Sequence, residues 1–199
     1  MKGIGGIMAR KVTITKEMIL DAALTMLIRD GYASVNIKTL AKEIGCSTQP
    51  IAWHFENMEG LRLALAQYAE EYAQRKTAAM VKGEDSASMF EQMGRSYVRM
   101  ALKEPNLFRF LYLGERPISK PYTMRNIAGG KSDQVMIEGI AEQTGLTKEQ
   151  AGCCIHNTVI YSHGLATMVA TGVLKASEKA LMAMINDAAA GFVQKELRG

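Results

Sequence analysis

Ser47, Thr48 and Gln49 stand in a row, followed by Pro50 and, one turn further on, by Trp53 and His54. All but Pro50 carry a side-chain hydrogen-bonding group, and none carries a fixed charge. Pro50 is tolerated in a first helical turn, where its missing N–H is not needed. Ser47 or Thr48 can cap that turn by accepting from a free backbone N–H. These residues predict the tip and outer edge of a short helix, uncharged and able to hydrogen-bond. A helix end of this kind suits the major groove of DNA, where base edges present donors and acceptors. Gln49 can pair bidentately with adenine, and Thr48 can reach a base edge beside it. Trp53 offers an indole N–H to a phosphate. His54 can do the same or pack beneath the helix. Lys38 before the tip and Asn57 after it complete the candidate DNA-binding set.

A second cluster, Cys153-Cys154 with His156, invites a metal or redox reading. Cys153 and His156 share a helix face at this spacing. A zinc site needs three or four ligands, and no CxxC or HxxxH accompanies them. The cysteines read as small core residues. There is no Ser-His-Asp set, Walker loop or GxGxxG, so no cofactor and no catalytic activity is expected. An α-helical enzyme using Cys153 and His156 is the remote alternative.

The elements that position the tip follow from caps and periodicity. Thr15 can cap a first helix whose Ile19, Ala22, Ala23, Met26 and Leu27 recur at helical spacing, until Gly31 stops it. Tyr32 and Val35 are placed to pack into a small core. Asn36 can cap a second helix, Ile37–Ile44, with Leu40, Ala41 and Ile44 as its apolar stripe. Gly45 ends it, because glycine enters a left-handed turn at no steric cost. Ile51 and Phe55 then bury toward that helix, and small Ala41 permits close approach. Ahead of the unit, residues 1–12 read as a flexible arm whose Lys2, Arg10 and Lys11 can touch phosphate or a minor groove.

Asn57 is a good cap for a fourth helix running to about Lys82, before Gly83. Backbone N–H groups at its start can bind a phosphate. Ser86–Lys103 reads as a helix with Met89, Phe90, Met93, Tyr97 and Met100 inward. Pro105 ends it, and Asn106 caps a short apolar segment to Leu113. Gly114–Gly130 is a long connection of the kind that forms mobile covers. Ser132–Thr144 is helical. Thr147 and Gln150 make a capping box for a long helix reaching Thr171, and Ser177 caps the last helix, which ends near Leu197.

The expected fold is all-α, with about nine helices. An N-terminal three-helix helix-turn-helix domain with its arm occupies 1–57, and a C-terminal helical bundle occupies 58–199. The composition agrees: 48% hydrophobic, 22% charged, net charge +4 over 199 residues. That describes one or two globular domains with at most a local anion-binding face. No apolar run is long enough to cross a bilayer. The glycine-rich start lacks a signal peptide's apolar core, and three cysteines without scaffold spacing fit a reducing compartment. The cytoplasm is the expected location.

From Thr15 to about Leu65 the chain resembles the TetR/AcrR family of bacterial transcriptional regulators. The resemblance rests on Ile19-Leu20-Asp-Ala-Ala23, Gly31-Tyr32, Leu40-Ala41 with Gly45, Trp53-His54-Phe55 and Glu59-Gly60-Leu61. It implies a homodimer that binds pseudo-palindromic double-stranded DNA and pairs through its last two helices. It also implies a helical effector-binding domain that takes a small, largely apolar molecule. Met93, Tyr97, Phe110, His156, Asn157 and Tyr161 are the expected pocket residues. Weaker likenesses to a ligand-domain pattern cover Tyr97, Ala101, Glu104-Pro105 and Phe108, and then His163-Gly164-Leu165-Ala166. Repression relieved by ligand is the implied mode. Two departures stand out: Met58 replaces a usual phosphate-binding lysine, and Ala52 replaces a frequent tyrosine. They keep open an alternative, a helical small-molecule-binding protein whose DNA binding is weakened or lost.

Overall fold

The structure is a computed structural model that describes residues 13–82, 85–116 and 131–198. Every regular element in those residues is helical: α1 (Lys16–Asp30), α2 (Ile37–Ile44), α3 (Gln49–Phe55), α4 (Met58–Met80), α5 (Ser86–Lys103), α6 (Pro105–Tyr112), α7 (Lys131–Thr144), α8 (Lys148–Ala170) and α9 (Glu178–Arg198). A single 3-10 turn, Tyr32–Ser34, joins α1 to α2. The expected arm, Gly83 and all of the Gly114–Gly130 connection beyond Arg116 lie outside the described residues.

Four helix starts are set as their sequences predict. Thr15 accepts from the Met18 N–H, and Asn36 from those of Lys38 and Thr39. Thr147 and Gln150 close their capping box, and Ser177 accepts from Ala180. Gly45 adopts φ 75°, ψ 35°, the left-handed geometry that ends α2.

α1 buries Ile19, Leu20, Ala23, Leu24, Met26 and Leu27. α2 adds Leu40 and Ala41, α3 adds Ile51 and Phe55, and α4 adds Leu61, Leu65 and Ala69. This core continues without a break into Leu107, Phe108 and Phe110 of α6 and Ala166 and Ala170 of α8. A second core packs Met136, Ile137 and Ala141 of α7 against Ala151, Cys154 and Ile155 of α8. A third places Val98 of α5 and Leu165 of α8 against Leu181, Met182 and Ile185 of α9. α8 therefore runs through the middle of the second half. α9 returns antiparallel to it, with Gln150 Nε2 donating to the Glu196 carbonyl at 3.0 Å.

One expectation fails at the α5–α6 corner. Pro105 begins α6 and Glu104 alone separates the helices, because proline fits a first turn as well as it stops a preceding one. Asn106 is then one residue inside α6 and makes no cap there. Its amide crosses to α1 and donates to the carbonyls of Ile28 (3.0 Å) and Arg29 (3.3 Å). These lie in the last turn of α1, where carbonyls have no intrahelical donor. Arg109 holds the other side of the amide, donating to Asn106 Oδ1 at 2.7 Å. Asn106→Ala should cost about 1 kcal/mol, because it strands the half-buried Ile28 carbonyl. Urea denaturation reads this directly, and an unchanged midpoint would show that water replaces the amide at no cost.

Candidate nucleic-acid interface

α3 has only seven residues, and its faces are sharply different. Ile51 is fully buried and Phe55 nearly so, while Ser47, Thr48 and Gln49 are exposed at its start. Pro50 sits half-buried in the first turn, and Trp53 stands 79% exposed on the outer edge. The cap expected from Ser47 or Thr48 is not made. Thr48 occupies the N-cap position with helical φ −70°, ψ −16°, whereas a capping side chain needs an extended backbone. Among the described residues no hydrogen bond engages the side chains of Ser47, Thr48 or Gln49, so all three are available to a partner.

Lys38 lies exposed on α2, and Lys42, a turn later on the same face, is exposed too. Lys42 was not among the sequence candidates, although its i,i+4 spacing from Lys38 was legible. Neither ammonium is in an ion pair among the described residues. Glu43 beside them is already neutralised. Its carboxylate accepts from Arg29 at 2.9 and 3.2 Å, which ties α2 to α1 and holds the carboxyl below its ordinary range.

Two candidates are engaged by hydrogen bonds within the chain. His54 Nε2 lies 3.0 Å from the Ile14 carbonyl, and a carbonyl can only accept, so this nitrogen carries the hydrogen and donates. Of the two roles open to His54, the structure realises packing beneath the helix. Asn57 Oδ1 accepts from the N–H groups of Glu59 (2.9 Å) and Gly60 (3.0 Å) and so caps α4. That leaves Met58 with the one unbonded first-turn N–H of α4. The expectation of a backbone cradle for phosphate there is therefore corrected.

The α3–α4 junction fixes the angle of α3. Glu56 has φ 63°, ψ −54°, and the Asn57 N–H reaches the Phe55 carbonyl at 2.6 Å, which makes a strained γ-turn. A Cβ at Gly60 would stand 2.2 Å from that same Phe55 oxygen. Only glycine lets α4 start this close to the end of α3.

The expected effector residues pack in different groups among the described residues. Phe110 is fully buried with its ring 4.8 Å from Tyr32, facing α1. Met93 packs into the α7–α8 core and Tyr161 into the α5–α9 core. Asn157 is exposed and His156 half-buried. None of them lines either of two open grooves on the described residues. One, of about 170 Å³, runs between α1 and α4 past Lys16 and Tyr68; the other, of about 500 Å³, lies beside Glu138 and Lys148. What does assemble is Tyr97 with His163, Phe108 and Tyr112. The Tyr97 hydroxyl is 2.6 Å from His163 Nδ1, and the rings of Phe108 and Tyr112 stand 5.1 and 5.0 Å from that of Tyr97. Burial pushes the Tyr97 hydroxyl up and the His163 imidazole down, so Tyr97 donates to a neutral ring. Three of these four residues carry the weaker sequence likeness, which was the available signal.

Cys153 is exposed and Cys154 buried, with its thiol pushed up by burial, the opposite of an activated nucleophile. Among the described residues no three His, Cys, Asp or Glu gather where a metal could bind. No helix there is long and apolar enough to cross a membrane.

Comparison with known proteins places this geometry. A family model described as bacterial regulatory proteins, tetR family, matches residues 19–65. A stretch of 57 residues is 35% identical to an uncharacterized HTH-type transcriptional regulator of Mycobacterium tuberculosis, over 29% of this chain and 26% of that protein. Over 109 residues the chain is 28% identical to the class D tetracycline repressor protein of Escherichia coli, 55% of this chain and 49% of the repressor. The class H protein of Photobacterium damsela subsp. piscicida matches to the same extent. The chain thus spans from about a quarter to about half the length of these curated relatives. The crystal structure of TetR from Acinetobacter baumannii AYE superposes with a TM-score of 0.59 over 92% of this chain and 98% of that one, at 17% identity. A variant of it in complex with minocycline gives 0.56 over 93% and 97%. At that identity the likeness is one of fold.

The junction yields a paired prediction. Gly60→Ala should destabilise by about 1–3 kcal/mol, since backbone must move to admit the Cβ. Glu56→Gly should stabilise by up to about 1 kcal/mol by relieving the positive φ. Chemical denaturation of both variants reads the two signs, and equal signs would refute the junction geometry. His163 yields a pH prediction. Its folded pKa lies below the ordinary imidazole value of about 6.5. The unfolded chain therefore binds the extra proton, and stability complete above about pH 6.5 falls as pH drops below it. The wild-type thermal midpoint should drop more between pH 7 and 5 than that of His163→Gln. Parallel curves would assign the titration elsewhere.

Proposed function

We propose that the chain, which matches the model of the tetR family of bacterial regulatory proteins over residues 19–65, is a member of that family and a homodimeric, ligand-released repressor reading a pseudo-palindromic operator. The observation that carries this reading is the tip of α3. Its polar side chains are exposed and internally unbonded, while Ile51 and Phe55 lock the opposite face into the core. Residues 1–57 form the DNA-reading unit, and residues 58–199 the effector-binding and dimerising unit. Gln49 and Thr48 meet base edges. Ser47, Pro50 and Trp53 line the groove, and Lys38 meets phosphate. The protein acts in the cytoplasm, where its DNA lies.

Pairing through α8 and α9 is supported by their outer faces. Cys153, Asn157, Ile160, Gly164 and Met168 make one exposed, uncharged stripe along α8. Ala183, Met184, Asp187, Ala190 and Gly191 make a second along α9, with small residues that permit close helix packing. Two reading heads then enter successive major grooves about 34–36 Å apart. A small, largely apolar effector favours a misspaced state. A differential affinity of about 1–3 kcal/mol suffices for a 5–150-fold loss of operator binding.

One specific observation favours a second reading, a ligand-binding protein with a weakened DNA head. Exposed Glu56 and Glu59 flank the α3–α4 junction, Met58 offers no charge there, and Asn57 consumes two of the backbone donors. Selection from a random double-stranded DNA pool at two salt concentrations separates the readings. An enriched palindrome supports the repressor, and a folded dimer that enriches nothing supports the alternative. On an enriched site, Gln49→Ala should weaken binding by about 1–3 kcal/mol and relax preference at one base pair. Equal losses on operator and random DNA would show that another residue reads the base.

A further inference from the structure

Trp53 is the single tryptophan of the chain, and it is 79% exposed. Its direction follows from α3. Residues along a helix turn by about 100° each. Buried Ile51 and Phe55 therefore point within about 40° of one another, and Trp53 points almost directly away from their mean direction. Gln49 lies about 40° to one side of Trp53, and Pro50 about 60° to the other. The middle of the face that α3 turns away from the core is thus an indole, with the candidate adenine reader beside it. Ala52, small and exposed, leaves the ring uncrowded. One side of the ring is braced: its centroid lies 4.8 Å from that of His54, which is itself held to the Ile14 carbonyl at 3.0 Å. An indole has one donor, no acceptor and a broad apolar surface. Beside a phosphate that surface gains little. The floor of a major groove offers it one apolar partner, the C5-methyl group of thymine. A side chain on the flank of a reading helix meets the sugar-phosphate walls, whereas one opposite the core meets the floor.

We propose that Trp53 is a specificity-determining residue: it packs its indole on a thymine methyl group in the major groove, close to the base pair that Gln49 reads. The proposal rests on the DNA-binding reading above. It replaces, for Trp53, the phosphate contact expected from its N–H. Four residues of helix rise about 6 Å, which is close to two base-pair steps of about 3.4 Å. The thymine therefore lies within about two base pairs of the one facing Gln49.

The test selects sites for the full chain from two random double-stranded pools, one made with thymidine and one with deoxyuridine, which lacks only the methyl group. Wild type should enrich thymine at one position in each half-site of the first pool and lose that preference in the second. Trp53→Ala should enrich the same site with that position degenerate in both pools. A fluorescein-labelled duplex of the wild-type site then gives the size of the effect. Uracil in place of those thymines should weaken wild-type binding by about fourfold for each methyl group removed. It should leave Trp53→Ala unaffected. Trp53→Phe, which keeps an aromatic face and loses the N–H, should still tell thymine from uracil. The comparison of thymine with uracil in the wild type needs no variant, so it decides even where a variant misfolds. A wild type indifferent to the methyl group at every position overturns the proposal. If Trp53→Ala and Trp53→Phe weaken all duplexes alike and leave the difference between thymine and uracil intact, the indole N–H serves a phosphate and the proposal falls. Wild type that enriches nothing from the thymidine pool refutes the DNA-binding reading itself, whereas an enriched site without methyl dependence refutes only the role of Trp53.

Discussion

The reading helix exists because two side chains are buried. Seven residues are too few for a helix to persist alone in water, since nucleation is unfavourable and few bonds follow it. Burial of Ile51 and Phe55 contributes about 1.5–3 kcal/mol each. That outweighs the nucleation cost and anchors α3 on α1, α2 and α4 at once. The polar tip is free for a partner only because the opposite face does this. Thr48 makes no cap and Gln49 no internal bond, so the core, not local hydrogen bonding, holds the tip in place. The junction with α4 adds direction to position. The contact between Gly60 and the Phe55 carbonyl and the positive φ of Glu56 leave α3 little freedom to swing.

The same core continues into the second half, which makes the reading unit poorly separable. α4 buries Leu61 and Leu65 under α1, and its later turns send Tyr72 and Lys76 to Glu104 at 2.8 Å each. Glu104 is the single residue between α5 and α6. α6 in turn carries Asn106 to the end of α1 and Phe108 to the Tyr97–His163 pair. A helix of eight residues thus touches both the reading unit and the aromatic group of the body. The exposed ion pairs contribute less. Arg29–Glu43 and Arg99–Glu178 lie at the surface, where solvent screening leaves such pairs little net stabilisation. They set the register of α2 on α1 and of α9 on α5 more than they set stability.

How much of this was legible depended on whether the deciding interaction is local. Caps and glycine stops are local, so Thr15, Asn36, Gly45, Asn57 and the Thr147–Gln150 box all act where the sequence puts them. The exposed face of α3 was legible too, because periodicity separates Ile51 and Phe55 from Gln49 and Trp53. Asn106 was misread because both its local role and its remote one use the same amide, and only the fold brings the α1 carbonyls within reach. His54 stood between two roles for the same reason. Periodicity likewise told that Met93 and Tyr97 face inward, and the resemblance placed Phe110 and Tyr161 in a pocket, but neither told toward which neighbour each packs. The three cores divide them.

The distribution of charge follows from these constraints. A helix end that reads bases must shed its water, and an ammonium or carboxylate there is costly to desolvate unless its match is waiting. Uncharged Ser47, Thr48 and Gln49 avoid that cost and keep hydrogen-bond specificity. Attraction to the backbone can then come from cations set to the side, where they remain partly solvated and need no exact register. Lys38 and Lys42 on α2 meet that description. The α3–α4 junction does not, since its strain and its own capping leave it acidic and nearly without free donors. On the proposed DNA-binding function, the attraction to backbone is therefore weighted toward the α2 side of α3.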